Sequence, residues 1–260
     1  MADGLARIDE IIDGVARRAA ELAPPPRGMP YLGIDHPSGS ALALLEGLCR
    51  HGIFRKYEHV LDLGAELGAT ARWMTEQLGC TAIATAVSTE VARTARRLTR
   101  TAGLDDQVEH VAVDPGCLPF RDAGFTHVWI VEPLGRLGNL GDSVAEAYRV
   151  VRPGGHLAVQ DLMATGNGRE MLPGWSPIAS DDWAALLTDV GFVDIACRDV
   201  SANAFETSPR VAAARAQLAA ALERSASTAA AATMVATRAT LSSALAAGDL
   251  RVVHVVARRP

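Results

Sequence analysis

His59-Val60-Leu61-Asp62-Leu63-Gly64-Ala65-Glu66-Leu67-Gly68 is a short apolar strand that runs into a glycine-punctuated turn and then a helix. Glycines at such a turn allow left-handed backbone and let the main chain come close to a ligand that a side chain would hold off. In an open α/β sheet, ligands bind beyond the carboxyl ends of the strands, so the turn stands where a nucleotide would lie; an ordinary strand-to-helix connection has the same appearance. Further apolar runs at 81–86, 108–113, 126–131, 155–161 and 192–198 alternate with helical stretches at 68–78, 88–102, 141–150 and 180–190. That alternation predicts a doubly wound, mostly parallel α/β sheet with helices on both faces. Arg251 to Arg258 reads as a last strand, the seventh.

Upstream of this core, Leu5, Ile8, Ile11, Ile12, Val15 and Leu22 fall largely on one helical face that ends before Pro24-Pro25-Pro26. Ser38 or Ser40 is placed to cap a second helix reaching about His51, with Leu42, Leu45 and Leu48 repeating at threes. Between Ser208 and Ala247 the chain turns alanine-rich with recurring leucines, which predicts a helical insertion before the last strand. The expected organisation is one domain over 1–260: N-terminal helices and loop (1–55), core sheet (56–200), insertion or lid (201–250) and last strand (251–260). Arg93, Arg96, Arg97 and Arg100 share one side of a helix, which reads as a solvated face.

Of the 260 residues 49% are apolar and 21% charged, ordinary usage for a chain that buries a full core. A net charge of -5 and 5% aromatics argue against a nucleic-acid partner, since neither phosphate attraction nor base stacking is provided for. Cys49, Cys80, Cys117 and Cys197 form no C-x-x-C pair, and the histidines show no metal spacing, so no metal is expected. With no apolar signal region and no run long enough to span a bilayer, the expected location is the cytoplasm.

The glycine turn resembles motif I of class I S-adenosylmethionine-dependent methyltransferases, D-x-G-x-G-x-G, with Asp62, Gly64 and Gly68 in place. Asp114, Leu118-Pro119-Phe120, Phe125-Thr126-His127-Val128, Glu146 to Gly155 and Leu187 to Phe192 fall, in order, where later motifs of that superfamily fall. The nearest likeness is to the small-molecule tocopherol, sarcosine and quinone methyltransferases. Tyr31-Leu32-Gly33 is similar to the N-terminal loop of the tocopherol branch, and Val128-Trp129-Ile130-Val131-Glu132 to its fourth-strand motif. The resemblance implies a Rossmann-like methyltransferase fold, S-adenosylmethionine as cofactor and a small organic acceptor. It also implies donor contacts from Asp62, Gly64, Glu66, Gly68, Asp114 and Pro115.

Three positions depart from the pattern. Glu66 replaces the middle glycine and puts a carboxylate where the donor's methionine end rests. The acidic residue that takes both ribose hydroxyls aligns with Ala86, and losing such an acceptor costs about 1.5–3 kcal/mol, roughly ten- to a hundred-fold in affinity. Thr85, Ser88 or Glu90 could compensate. The histidine expected four residues after Glu132 is Arg136.

Glu132, at the end of the fourth strand, either faces the acceptor as the catalytic residue or pairs with Arg136. Tyr31, His36 and Arg136 could line the substrate cleft, His36 being otherwise an exposed loop histidine. Asp161 either bonds a substrate or caps a loop. Three functions remain open: a methyltransferase, a protein of the same fold that has lost methyl transfer, and a pseudoenzyme whose insertion pairs with a partner or forms a homodimer.

Overall fold

A computed structural model describes residues 2–22, 29–36, 44–51, 57–166, 170–204, 209–224 and 229–260, with Pro24, Pro25, Arg27 and Phe54. At its centre β1 (His59–Asp62) pairs in parallel with β2 (Thr81–Ala86) on one side and β4 (Phe125–Val131) on the other. Val60, Leu61 and Asp62 are wholly buried, as in a strand covered on both faces. β3 (Val108–Ala112) extends β2 and β5 (Val151–Ala164) extends β4, both in parallel. β7 (Leu250–Arg258) is antiparallel to β5 and to the edge strand β6 (Val193–Asp199), giving the order β3-β2-β1-β4-β5-β7-β6. The strand order reverses between β1 and β4, and the crevice above their carboxyl ends is where an open α/β sheet takes its ligand.

Alternate residues of each strand feed opposite layers. Leu61, Val128, Ile130, Leu157 and Val159 pack on α5 (Leu140–Val150) and α6 (Ser180–Val190) through Val144, Ala147, Trp183 and Leu187. Val60, Trp129, Val131, Ala158 and Val256 pack on α2 (Leu44–His51) and α3 (Ala69–Leu78) through Leu45, Leu48, Trp73 and Met74. The N-terminal helix α1 (Ala2–Leu22) joins α4 (Thr89–Thr101) and α7 (Pro209–Arg224) around Ile12, Val15, Leu98, Val211 and Leu218. α8 (Ala229–Ala247) sets Leu241 and Ala244 against Leu44, Leu162, Leu250 and Val252. The insertion is therefore two helices, each docked on its own chain.

The strands and helices lie within a few residues of their expected bounds, with two differences. The second helix starts at Leu44, and its expected caps, Ser38 and Ser40, lie outside the described residues. The fifth strand, expected at 155–161, begins at Val151 and takes in Pro153-Gly154-Gly155, where the register shifts between Phe125 and His127 of the partner strand. Glycine is required there because a Cβ on Gly155 would stand 2.5 Å from the Thr126 carbonyl oxygen. The basic side of α4 does more than face solvent: Arg97 grips Asp9 of α1 at 2.6 and 3.1 Å, and Arg96 donates to the His110 carbonyl.

A buried polar strap fastens the N-terminal loop to this core. Arg72 of α3 holds Asp35 at 2.5 Å and Thr99 of α4 at 2.9 Å, and Thr99 meets Nε2 of His110 at 2.7 Å. Burial, reinforced by Arg72 and Arg96, pushes the His110 pKa down to about 3, so the ring is neutral. The His110 ring lies against Gly68, where an added Cβ would come within 2.4 Å of Cε1 at a backbone φ of +76°.

Gly68→Ala is therefore expected to lower stability by about 2–4 kcal/mol, from left-handed strain plus displacement of His110. Gly79→Ala, at φ +68° with nothing within 4 Å of the added carbon, should lose only about 1–2 kcal/mol. Differential scanning calorimetry of the pair separates packing from backbone strain.

Candidate active site at the carboxyl edge of the sheet

The turn after β1 is pinned by β2. The Gly64 amide donates to Thr85 Oγ1 at 2.9 Å, and the Glu66 amide donates to the Thr85 carbonyl at 3.2 Å. Gly64, Glu66 and Gly68 all have positive φ, so the turn depends on left-handed backbone at alternate positions. A Cβ on Gly64 would rest 3.4 Å from Leu137 and 3.7 Å from Pro133, so the loop after β4 covers this glycine. The glycine at 68 has a different reason, His110.

Asp62 closes β1 with a wholly buried carboxyl whose oxygens make no hydrogen bond of ordinary geometry. Burial raises its pKa to about 7, with the Ala71 amide and the Arg72 guanidinium offsetting part of the rise.

Glu66 turns toward the loop after β4, where its Oε2 lies 3.6 Å from Nε of Arg136. Arg136 is held in place by donating from Nη1 to the Pro133 and Glu132 carbonyls at 3.0 and 3.4 Å. Arg136 thus meets the carboxylate of Glu66, and of Glu132 it binds the backbone. Burial raises the Glu66 pKa, opposed by Arg136 and by the Val87 backbone.

The Glu132 carboxylate points into the layer under α2. Its Oε1 accepts from Gln160 Nε2 at 2.8 Å, and Gln160 Oε1 meets His254 Nε2 at 2.9 Å. A carbonyl oxygen only accepts, so in this arrangement His254 carries its proton on Nε2. The other carboxylate oxygen lies 3.8 Å from Nδ1 of His36. All four side chains are buried, which corrects the picture of His36 as an exposed loop histidine. Glu132 also sits at φ +47°, a conformation that costs a non-glycine residue about 1–2 kcal/mol.

Tyr31 and Asp161 have their polar atoms engaged by the protein. The Tyr31 hydroxyl donates to the Leu98 carbonyl at 2.7 Å, with Arg72 over its ring. Asp161 accepts from the Leu162 amide at 2.8 Å and from the Trp183 indole at 3.1 Å, tying β5 to α6.

At the outer end of the edge, Val87, Ser88, Thr89, Ala112, Val113, Asp114 and Pro115 line an open groove of about 610 Å³. Asp114 is exposed and accepts from the Gly116 amide, while Pro115 is buried. Ala86 ends β2 with no acceptor. Of its expected substitutes, Thr85 is engaged with Gly64 and Ser88 caps α4 by accepting from the Val91 amide, whereas Glu90 is exposed beside the groove lip.

The structure thus gathers Asp62, Gly64, Glu66, Glu132, His36 and Arg136 around the crevice, and leaves Asp114 and Pro115 at its far end. Sequence reasoning missed Gln160 and His254. The signal was present: each is a polar residue inside an apolar strand, in Leu-Ala-Val-Gln and Val-Val-His-Val-Val.

A carboxyl that ionises near 3.8 unfolded and near 7 folded favours the native state below the lower value, and loses that advantage as pH rises through the higher one. The stability gain of Asp62→Asn over the parent is accordingly expected to grow between about pH 4 and pH 7 and then level off. Thermal unfolding of both proteins across that window checks this; a gain independent of pH would contradict it.

Residues 61–159 match the methyltransferase domain family. The chain is 29% identical over 163 residues to the methyltransferase GfsG of Streptomyces halstedii, covering 58% of this chain and 59% of that protein. It is 26% identical over 169 residues to the chloroplastic tocopherol O-methyltransferase of Arabidopsis thaliana, covering 57% and 48%. To the 27-O-demethylrifamycin SV methyltransferase of Amycolatopsis mediterranei it is 28% identical over 158 residues, covering 56% and 58%. The matches thus span about half to three-fifths of these relatives. Among solved structures, the [4+2]-cyclase SpnF superposes with a TM-score of 0.69 at 23% identity, covering 84% of this chain and 81% of that one. A geranyl diphosphate methyltransferase in complex with S-adenosylmethionine superposes at 0.64 and 18% identity, covering 84% and 85%. Strand order, the turn at 62–68 and these likenesses agree: residues 61–159 match the methyltransferase domain family, and the sheet has the fold of the superposed S-adenosylmethionine-binding methyltransferase.

Proposed function

We propose that the protein transfers a methyl group from S-adenosylmethionine to a small organic molecule. The observation that carries this reading is the Asp62 carboxyl, buried beneath the glycine turn without a hydrogen bond of ordinary geometry. A buried polar group left in that state costs about 1–3 kcal/mol, and a ligand amine would recover it. The residues present fit the donor at both ends: Asp62 beneath the turn at the amino-acid end, and the groove with Asp114 and Pro115 at the nucleoside end. Glu66 and Ala86 weaken the fit between them.

When bound, the donor supplies an electrophilic methyl group on a sulfonium. The chain's part is to position the acceptor and exclude water. Glu132, oriented by Gln160 and backed by His254, faces His36, so this pair is the candidate to take a proton from an acidic hydroxyl. Tyr31 and Asp161 contribute by holding the N-terminal loop and the end of β5. The named substrates of related proteins, tocopherol, 27-O-demethylrifamycin SV and geranyl diphosphate, support a small organic acceptor. Among the described residues no helix is long and apolar enough to cross a membrane; we place the protein in the cytoplasm on composition.

A second reading has its own support: the same fold turned to another reaction. Ala86 leaves β2 without an acceptor, Glu66 stands in the turn, and the superposed SpnF is described as a [4+2]-cyclase.

Isothermal titration calorimetry with S-adenosylmethionine and S-adenosylhomocysteine is expected to show saturable binding, tightened roughly ten- to a hundred-fold by Ala86→Asp. Binding with no methylated product from any acceptor tried would favour the second reading. No heat with either nucleoside, in the parent or in Glu66→Gln, would end both the donor reading and the transferase.

A further inference from the structure

Glu66 and Arg136 form an ion pair that neither the turn nor the sheet requires. Glu66 bears a side chain at φ +52°, where glycine would be unstrained. Its side chain is 13% exposed, Oε1 is buried without a hydrogen bond of ordinary geometry, and the contact from Oε2 to Arg136 is 3.6 Å, longer than a charge-assisted hydrogen bond. Arg136 itself is firmly placed, because the Pro133 and Glu132 carbonyls fix one of its nitrogens. The well-held guanidinium is thus loosely matched by its carboxylate. The pair bridges the turn after β1 and the loop after β4, the two sides of the crevice where the order of the sheet reverses.

Resting on the donor reading above, we propose that Arg136 receives the carboxylate at the amino-acid end of the donor, and that Glu66 is a built-in competitor occupying Arg136 until that carboxylate replaces it. A guanidinium takes a free carboxylate through two parallel hydrogen bonds, whereas Glu66 is tethered to the turn and reaches Arg136 at one edge. Exchange frees Glu66 to return to water, which relieves the burial of an incompletely bonded carboxylate. The charged groups facing Arg136 are Glu66 and Glu132, and the second keeps the guanidinium from leaving with Glu66. Occupancy of the crevice is therefore selective: a nucleoside without a carboxylate has nothing to offer Arg136 and leaves the pair closed.

The test is calorimetric and compares S-adenosylhomocysteine with 5′-methylthioadenosine, which lacks the amino-acid end. Glu66→Gln keeps the size of the side chain and removes its charge. It is expected to tighten S-adenosylhomocysteine about ten-fold while leaving 5′-methylthioadenosine within about two-fold. Arg136→Gln should weaken the first ligand by about ten-fold or more, and Arg136→Lys, which keeps charge but loses the fork, should fall between. Thermal midpoints of each variant confirm folding, and Glu66→Ala gives a second way to remove the competitor. If Glu66→Gln and Glu66→Ala bind S-adenosylhomocysteine no better than the parent, Glu66 is no competitor and the proposal fails while the donor reading stands. Equal shifts for both ligands overturn it too, because the effect then ignores the carboxylate. Silence from every nucleoside in every variant refutes the donor reading instead.

Discussion

A strand with no exposed face, flanked by parallel neighbours on both sides, leaves the turn that follows it only one place to lie, across the carboxyl edge of the sheet. β1 is that strand, and the Gly64 amide bound to Thr85 of β2 fixes where its turn settles. The placement of Asp62, Glu66 and Gly68 follows from this constraint. So does the approach of the loop after β4, whose Leu137 and Pro133 come near enough to residue 64 that an added Cβ would touch both. Four of the seven non-glycine residues with positive φ among those described, Leu32, Glu66, Glu132 and Leu134, lie in loops that border this edge or lead into it. Backbone strain collected in one region is the mark of a site whose surroundings over-determine it.

The N-terminal segment matters for the same reason. It brings His36 to Glu132, yet it is anchored through Asp35 to Arg72 of α3, through Tyr31 to Leu98 of α4, and through packing of α1 on α4. Each anchor reaches an element that also touches the glycine turn or the strand beside it. The polar line His254, Gln160, Glu132 and His36 then crosses β7, β5, β4 and the N-terminal loop in order, so pieces of chain far apart in sequence converge on one carboxylate.

Much of this was legible in the residues. Period and turn chemistry located the strands because a doubly wound sheet repeats one local rule many times, and alanine richness marked the insertion because helix propensity sums over its length. The candidate site was legible where position alone decides, as for Asp62 at a strand end. It was illegible where partners decide. Glu132 and Arg136, four residues apart, suggested each other, but the left-handed backbone at Glu132 turns its carboxylate to Gln160 and leaves Arg136 to Glu66. Gly68 looked like a ligand glycine, while the group that excludes a side chain there is His110, forty-two residues on by the numbering. Pairings of that kind depend on which strands adjoin.

The charges at the edge carry the functional argument one step further. Asp62, Glu66, Glu132 and Asp161 place four carboxyl groups at or near this edge, against the Arg136 guanidinium, the Arg72 guanidinium that Asp35 already holds, and the His36 imidazole 3.8 Å from Glu132. Burial relieves part of the excess by raising Asp62 and Asp161 to about 7, so that near neutrality each is poised between its two forms. A site built this way is short of positive charge, and a ligand that brings cations stabilises the ionised carboxylates as it enters. S-adenosylmethionine brings two, an ammonium and a sulfonium, together with one carboxylate. On the proposed reading, transfer of the methyl group removes the sulfonium charge, so the same surplus of carboxylates would hold the product less tightly than the donor. The replacement of a bare glycine by Glu66 then reads as a change in how the edge balances charge while it is empty, with Arg136 as the group that passes from one carboxylate to the other.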